Sequence, residues 1–371
     1  MSDMKKEIEE LFQAESANLK KPNLMVVGGT GVGKSSLINR VFGVALAKVG
    51  SGKPVTQGCI KYEHENVPIA VFDTEGYEIS SSGPSNSNFA TRVIAEIKRR
   101  QALALSEQIH FAWYCLSVGN HRITDYDLQN LKLFARELRL PVAVVLTQCD
   151  TEELDDNDKG KTSTAFRKVL AEDGFKGPVF ETCATETTLS LDLEQLMEWS
   201  AAALTDEDMR RSFVGAQRAS LPMKRKEADK LCLAVAGAAS ASAGLNPLPI
   251  GDAALIVPQQ VAMAIGLARI YGFDGVNSGV MTFLKGQIIS LAAKQLASGL
   301  AKLIPGVGQL LNAAVAGGVT WALGQALAEI YGRAYEHLLE HGEVPDWAKL
   351  LSSDSLGPLM AAAFKSWKPG K

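Results

Sequence analysis

A chain of 371 residues exceeds what one compact core usually holds, so two domains are expected. With 46% hydrophobic and 21% charged residues it is globular rather than disordered, and its net charge of −3 gives no reason to expect nucleic-acid binding. The five cysteines (Cys59, Cys115, Cys149, Cys183, Cys232) are widely spaced and form no CxxC pair, which argues against a zinc site or a disulfide framework and fits reduced thiols in the cytoplasm.

In chain order, residues 1–22 are charged and lack the apolar stretch of a signal peptide; Leu11 and Phe12 among Lys and Glu predict a short amphipathic helix. Residues 23–204 alternate short apolar runs with helical stretches. The runs are 23–28, 69–73, 109–116, 142–147 and 179–183, each followed by a polar loop. That is the pattern of an α/β domain, a mostly parallel sheet with helices on both faces. Residues 60–65 alternate in character and read as an extra edge strand, and the acidic stretch 152–158 reads as a solvated loop or a helix start. From 205 to 371 Ala, Gly and Leu replace the β-branched runs, and an all-α, Ala/Gly-rich second domain is expected. Its segments are a charged helix at 209–230, uncharged stretches at 231–251 and 253–268, an amphipathic helix at 281–302, and an uncharged stretch at 303–328. Asn246-Pro247-Leu248-Pro249 and the run from Ile304 to Gly308 read as breaks. Asp252 reads as a helix cap, and Pro258 as a kink or a first turn.

The run 23–28 ends in Gly28-Gly29-Thr30-Gly31-Val32-Gly33-Lys34-Ser35-Ser36, a P-loop. Its glycines let backbone N–H groups curl around a β-phosphate, and the helix that follows adds its positive end. Lys34 supplies a point charge between the β- and γ-phosphates, and Ser35 a hydroxyl for Mg²⁺. Asp73-Thr74-Glu75-Gly76 closes the run 69–73; Asp73 suits Mg²⁺ and the Gly76 N–H suits the γ-phosphate. Between these motifs, Thr56 in Pro54-Val55-Thr56-Gln57-Gly58 is the candidate sensor of Mg²⁺ and γ-phosphate, on a loop, with Ser51 a weaker rival. Thr147-Gln148-Cys149-Asp150 closes the run 142–147. A carboxylate at Asp150 accepts both N1–H and the exocyclic amine of guanine, a donor pair that adenine lacks. Cys183 and Ala184, ending the last run, would supply backbone N–H to the guanine O6.

Together GKSSLIN, PVTQ, DTEG and TQCD resemble the Era-like small GTPases of the translation-factor superclass over residues 23–204. The resemblance implies binding of GTP and GDP with Mg²⁺, and hydrolysis of GTP. Three departures qualify it. Gln148 stands where relatives carry the Lys that lies over the base, which lowers the expected affinity. Tyr77 follows Gly76 where Ras-like enzymes carry a water-orienting Gln, so hydrolysis should be slow without a homodimer partner or activating protein. Gly31 stands where potassium-activated members carry Asn, so no potassium dependence is expected. Arg92, Arg99, Arg100 and Arg122 are candidates for an arginine finger.

The second half is similar to the Ala-rich YcjF-like domain of unknown function through NPLPIGDAALIVPQQVAMAIGLARIYG and the IPGVG segment. That resemblance implies association with a membrane surface, peripheral or integral, at the inner face of the cell membrane. Residues 303–328 are long enough to span a bilayer, but Gln309, Asn312, Thr320 and Gln325 dilute them. A helical bundle with an Ala/Gly core is the competing reading. Lys365-Ser366-Trp367-Lys368 is a basic-aromatic tail, expected to be solvated. Three functions remain open: a slow GTPase switch acting on the helical half, a nucleotide-holding scaffold or anchor with negligible turnover, and an ATP-using P-loop enzyme.

Overall fold

The computed structural model describes residues 6, 10, 20–43, 53–56, 59–64, 67–74, 79–80, 83–84, 89–153, 161–185, 191–244, 252–273, 313–343 and 345–367. Lys20–Ser220 forms one compact unit, and Leu221–Lys371 belongs to another.

The first unit is built on β1 (Asn23–Gly28), β2 (Lys53–Thr56), β3 (Cys59–His64), β4 (Val67–Thr74), β7 (Phe111–Ser117), β8 (Val142–Thr147) and β9 (Val179–Glu181). They lie in the order β2-β3-β4-β1-β7-β8-β9. Strands β4, β1, β7, β8 and β9 run parallel, while β2 and β3 are antiparallel additions at one side. A small ribbon, β5 (Ile79–Ser80) with β6 (Gly83–Pro84), stands apart.

Two expectations are corrected here. Strand β3 is not the edge: it pairs with β2 on one side and β4 on the other. The edge strand is β2, formed from residues expected to be a loop. Val55 and Thr56 are β-branched, and Pro54 is tolerated because an edge strand can spare one N–H.

The parallel strands read as unbroken apolar runs because helices cover both faces. Met25, Val27, Phe72, Tyr114, Val144 and Leu146 form one core with Val93 and Ile97 of α2 (Phe89–Gln101), Leu131 of α3 (Asp125–Lys132), and Phe166 and Leu170 of α5 (Thr162–Glu172); the single-turn α4 (Asp150–Glu153) comes between α3 and α5 in the chain. On the other face Phe111 and Trp113 pack against Phe42 of α1 (Lys34–Phe42), Trp199 of α6 (Leu193–Ala202) and Phe213 of α7 (Glu207–Ala216). The buried Trp113 indole donates to Ser200 Oγ at 3.0 Å. Helix α7 lies beyond the change of composition at 205, yet its apolar side serves the sheet. A charged amphipathic helix has the same composition whichever core it joins, so the compact units divide at 220/221.

In the second unit, α8 (Leu221–Gly244) runs without a break through 230/231, joining the charged and uncharged stretches into one helix. It packs with α9 (Asp252–Ile270) and α10 (Ala313–His341), and α12 (Ser353–Ser366) lies along α10. Pro258 lies within α9, beyond its first turn. Close contact is made by small residues: a Cβ at Gly324 would stand 2.6 Å from Cys232 Sγ and 2.9 Å from Met263 Sδ. Tyr271, Phe273, Tyr331 and Tyr335 cluster with Trp347 of the short α11 (Trp347–Leu350). Lys224 is fully buried; its ammonium donates to the Ile270 carbonyl (3.1 Å) at the end of α9 and lies over the Tyr335 ring. A cation there meets the negative end of the helix dipole. Trp367 is packed on Trp321, with ring centroids 5.7 Å apart, rather than free in a solvated tail. No helix among the described residues is long and apolar enough to cross a membrane. Asn246-Pro247-Leu248-Pro249, the helix expected at 281–302 and the Ile304–Gly308 break lie outside the described residues.

Candidate nucleotide site

Strand β1 delivers the P-loop. A Cβ on Gly28 would run into the Cys115 carbonyl of neighbouring β7, so the first glycine is demanded by the sheet itself. Gly33 is the N-cap of α1 with φ 89°, a left-handed conformation that glycine adopts without strain. No side chain caps α1 at Gly33, which leaves its first-turn amides to an anion. Ser35 and Ser36 of that turn are exposed, as are Thr30 and Gly31. Lys34 is buried to 8% exposure, and its ammonium donates to the carbonyls of Gly28 (3.1 Å) and Gly29 (3.0 Å). The charge is thus folded back over the loop that would hold phosphate.

Asp73 follows from strand register. It lies opposite Val26 on the parallel β1–β4 pair, two residues before Gly28, at the strand ends where ligands of α/β sheets bind. Thr56 is placed differently. It pairs with Cys59, which pairs in turn with Thr74, so β3 and β4 both lie between Thr56 and the P-loop strand. Gly76, Tyr77 and Ser51 lie outside the described residues.

The loop after β8 is tied to the P-loop. The buried Thr147 hydroxyl donates to the Val32 carbonyl at 2.5 Å, with the Leu116 carbonyl at 3.3 Å. Gln148 turns the chain in a left-handed conformation (φ 62°), and its side-chain oxygen accepts from the Ser117 hydroxyl. The Gly119 N–H donates to the same hydroxyl (3.1 Å). Cys149 is buried, and burial pushes its thiol up to about 12. Its backbone N–H donates to the Thr182 carbonyl (3.1 Å), joining this loop to the one after β9. That second loop carries the buried Cys183, then Ala184 and Thr185, and the Thr185 hydroxyl donates to Asp150 Oδ2 at 3.2 Å. So the structure brings together the P-loop, the loop of Thr147, Gln148 and Asp150, and the loop of Cys183 and Ala184.

Ser117 and Thr185 are partners that the motif reading missed. The only signal for either was a polar residue just past an apolar run. The arginine candidates also change. Arg99 donates twice to the buried Glu96 (2.9 and 2.8 Å); Arg100 donates to it at 2.6 Å and to the Glu107 carbonyl. Both are committed to α2 rather than extended toward a phosphate. Arg122 is exposed.

Residues 23–148 match the family of the 50S ribosome-binding GTPase. The first unit has a P-loop GTPase fold. Over 139 residues this chain is 29% identical to GTPase Der of Clostridium novyi, an alignment covering 37% of this chain and 29% of that protein. Over 135 residues it is 30% identical to GTPase Der of Synechococcus sp. strain JA-3-3Ab, covering 36% of this chain and 27% of the relative. The chain therefore spans less than a third of the length of these two curated relatives. It is also 31% identical over 101 residues to Magnetosome membrane protein 22 of Magnetospirillum gryphiswaldense, covering 25% of this chain and 52% of that one. Over residues 23–148 the first unit is thus similar to GTPase domains, and the second unit is helical.

Proposed function

We propose that this protein binds GTP and GDP, hydrolyses GTP slowly when unaided, and passes its nucleotide state to the helical unit. The observation that carries the reading is the Thr147–Val32 hydrogen bond. It fixes the base-reading Asp150 loop to the phosphate-binding loop, so one ligand with a base and a phosphate chain satisfies both.

In this reading the amides of residues 29–36 bind phosphate and Lys34 neutralises the β- and γ-phosphates. Asp150 accepts from the guanine N1–H and amine, and the backbone at Cys183 and Ala184 faces O6. Ser35 and Asp73 offer the hard oxygen donors that Mg²⁺ prefers, and Thr56, on β2 with β3 and β4 between it and the P-loop strand, joins them only on leaving that strand. The Val26–Asp73 register supports Asp73 in that role, since it stands on the strand beside the P-loop strand. When bound, the ion supplies neutralising charge at the β- and γ-phosphate oxygens. Thr56 and Gly76 are proposed as γ-phosphate sensors. We assign the domain to the Era-like branch and the helical unit to the YcjF-like type.

Slow turnover follows from Tyr77 at the water-orienting position and from the commitment of Arg99 and Arg100 to Glu96. Positioning and charge stabilisation are nearly the whole of this catalysis, so with a Tyr at the water-orienting position and these two arginines engaged, fast turnover waits on a second copy or an activating protein. The same commitment of the arginines favours a second reading, a scaffold that holds nucleotide with negligible turnover. Phosphate release by the purified chain separates the two. The switch reading expects slow release that Lys34→Ala and Asp73→Ala abolish; release no greater than in those variants, with and without lipid, leaves the scaffold. An ATP-using enzyme would let ATP compete as well as GTP. Similarity to a magnetosome membrane protein supports contact with a membrane surface. Co-sedimentation with liposomes, with GDP or a non-hydrolysable GTP analogue, tests it.

A further inference from the structure

We propose that Thr185 is a positioning residue that sets guanine selectivity by orienting the Asp150 carboxylate; the inference rests on the nucleotide reading above. A carboxylate reads guanine only when each oxygen faces one donor of the base edge, N1–H and the amine. Free rotation about the last side-chain bond of Asp destroys that alignment, because this torsion is soft. In this protein the Thr185 hydroxyl donates to Asp150 Oδ2 at 3.2 Å. A carboxylate oxygen has lone pairs for more than one donor, so this bond pins the rotation and leaves the base its acceptors.

The Thr185 hydroxyl is itself held. Its single proton is spent on Asp150, so it acts as acceptor toward the buried Cys183, whose Sγ lies 3.8 Å away. Cys183, Thr185 and Asp150 thus form a short relay running from the core to the base-reading carboxylate. The backbone is matched to it. The Thr182 N–H donates to the Leu146 carbonyl at 2.7 Å, and the Cys149 N–H to the Thr182 carbonyl at 3.1 Å, which fixes the two loops side by side. Gln148, the other neighbour of the base edge, is tied to Ser117 and is not a partner of this relay.

The test is competition binding by the full chain, using GDP, IDP and ADP against a fluorescent GDP. IDP keeps N1–H but lacks the amine, so the IDP/GDP ratio of dissociation constants reports the carboxylate's orientation. Thr185 is exposed, so its replacement does not open the core. In Thr185→Val the ratio is expected to fall about tenfold, the scale of one charge-assisted hydrogen bond, and Thr185→Ser is expected to restore it. A fold defect would instead weaken all three nucleotides together. An unchanged IDP/GDP ratio in Thr185→Val, or equal loss for GDP, IDP and ADP, overturns the inference while leaving the GTP reading intact. Wild-type protein that binds ADP as tightly as GDP overturns both.

Discussion

Glu96 shows how a single buried charge is kept in this domain. It is 3% exposed, and burial alone would raise its carboxyl. Hydrogen bonds from Arg99 and Arg100 outweigh that, and the net result holds Glu96 below the usual carboxylate range. Arg100 also lies over the Phe72 ring, 4.4 Å from its centroid, so the cluster is fastened to strand β4. A carboxyl whose folded value is depressed contributes stability that is present above its unfolded value, about 4.3, and is lost as pH falls through the folded one. Glu96→Gln is therefore expected to flatten the loss of stability as pH falls below about 4.3, measured as urea midpoints. A variant whose midpoints fall as steeply as wild type would show that Glu96 is not a source of the acid sensitivity.

Among the helices, two glycines separate intrinsic preference from packing. Glycine in a helix interior costs roughly 0.5–1 kcal/mol relative to alanine. Gly237 of α8 is exposed, and a Cβ there meets nothing within 4 Å. Gly324 of α10 meets Cys232 Sγ at 2.6 Å and Met263 Sδ at 2.9 Å. Gly237→Ala is thus expected to raise the stability of the helical unit by about 0.5–1 kcal/mol, the propensity gain. Gly324→Ala has the same gain but must push two helices apart, and a net loss of about 1 kcal/mol or more is expected. Chemical denaturation followed by helical circular dichroism checks both signs. A gain at Gly324 would mean that the α8–α10 contact yields readily. The same reasoning explains why the Ala/Gly texture was legible as helix while its partners were not. Composition marks the faces as small, but only the packed bundle shows which glycine is crowded.

For the whole molecule, the proposed switch requires the nucleotide to act on a separate compact unit. A ligand shifts another element only by its differential affinity for two states. Hydrogen exchange of peptides from α8, α9 and α10 is therefore expected to differ between GDP and a non-hydrolysable GTP analogue. Identical exchange in both, with nucleotide bound, would leave the scaffold reading. The division of the chain bears on where the coupling runs: helix α7 belongs to the α/β unit, and α8 begins immediately after it, at Leu221. Four residues, 217–220, separate α7 from α8 in the chain, instead of a long linker.

The sequence alone determined the parallel sheet, the P-loop, Asp73 at a strand end and Asp150 just past one, because each depends on short-range order. A run of β-branched residues, a glycine spacing and a polar residue after a strand act within a few positions. Tertiary structure decided what lies between distant segments. It moved the sheet edge from β3 to β2, turned Thr56 from a loop residue into a strand residue, and took Arg99 and Arg100 out of contention as fingers. It also joined Thr185 to Asp150, 35 positions apart, and Thr147 to Val32, 115 apart. The physical reason is register. Parallel strands bring chain ends together from anywhere in the sequence, and a hydroxyl finds its acceptor only once that alignment exists.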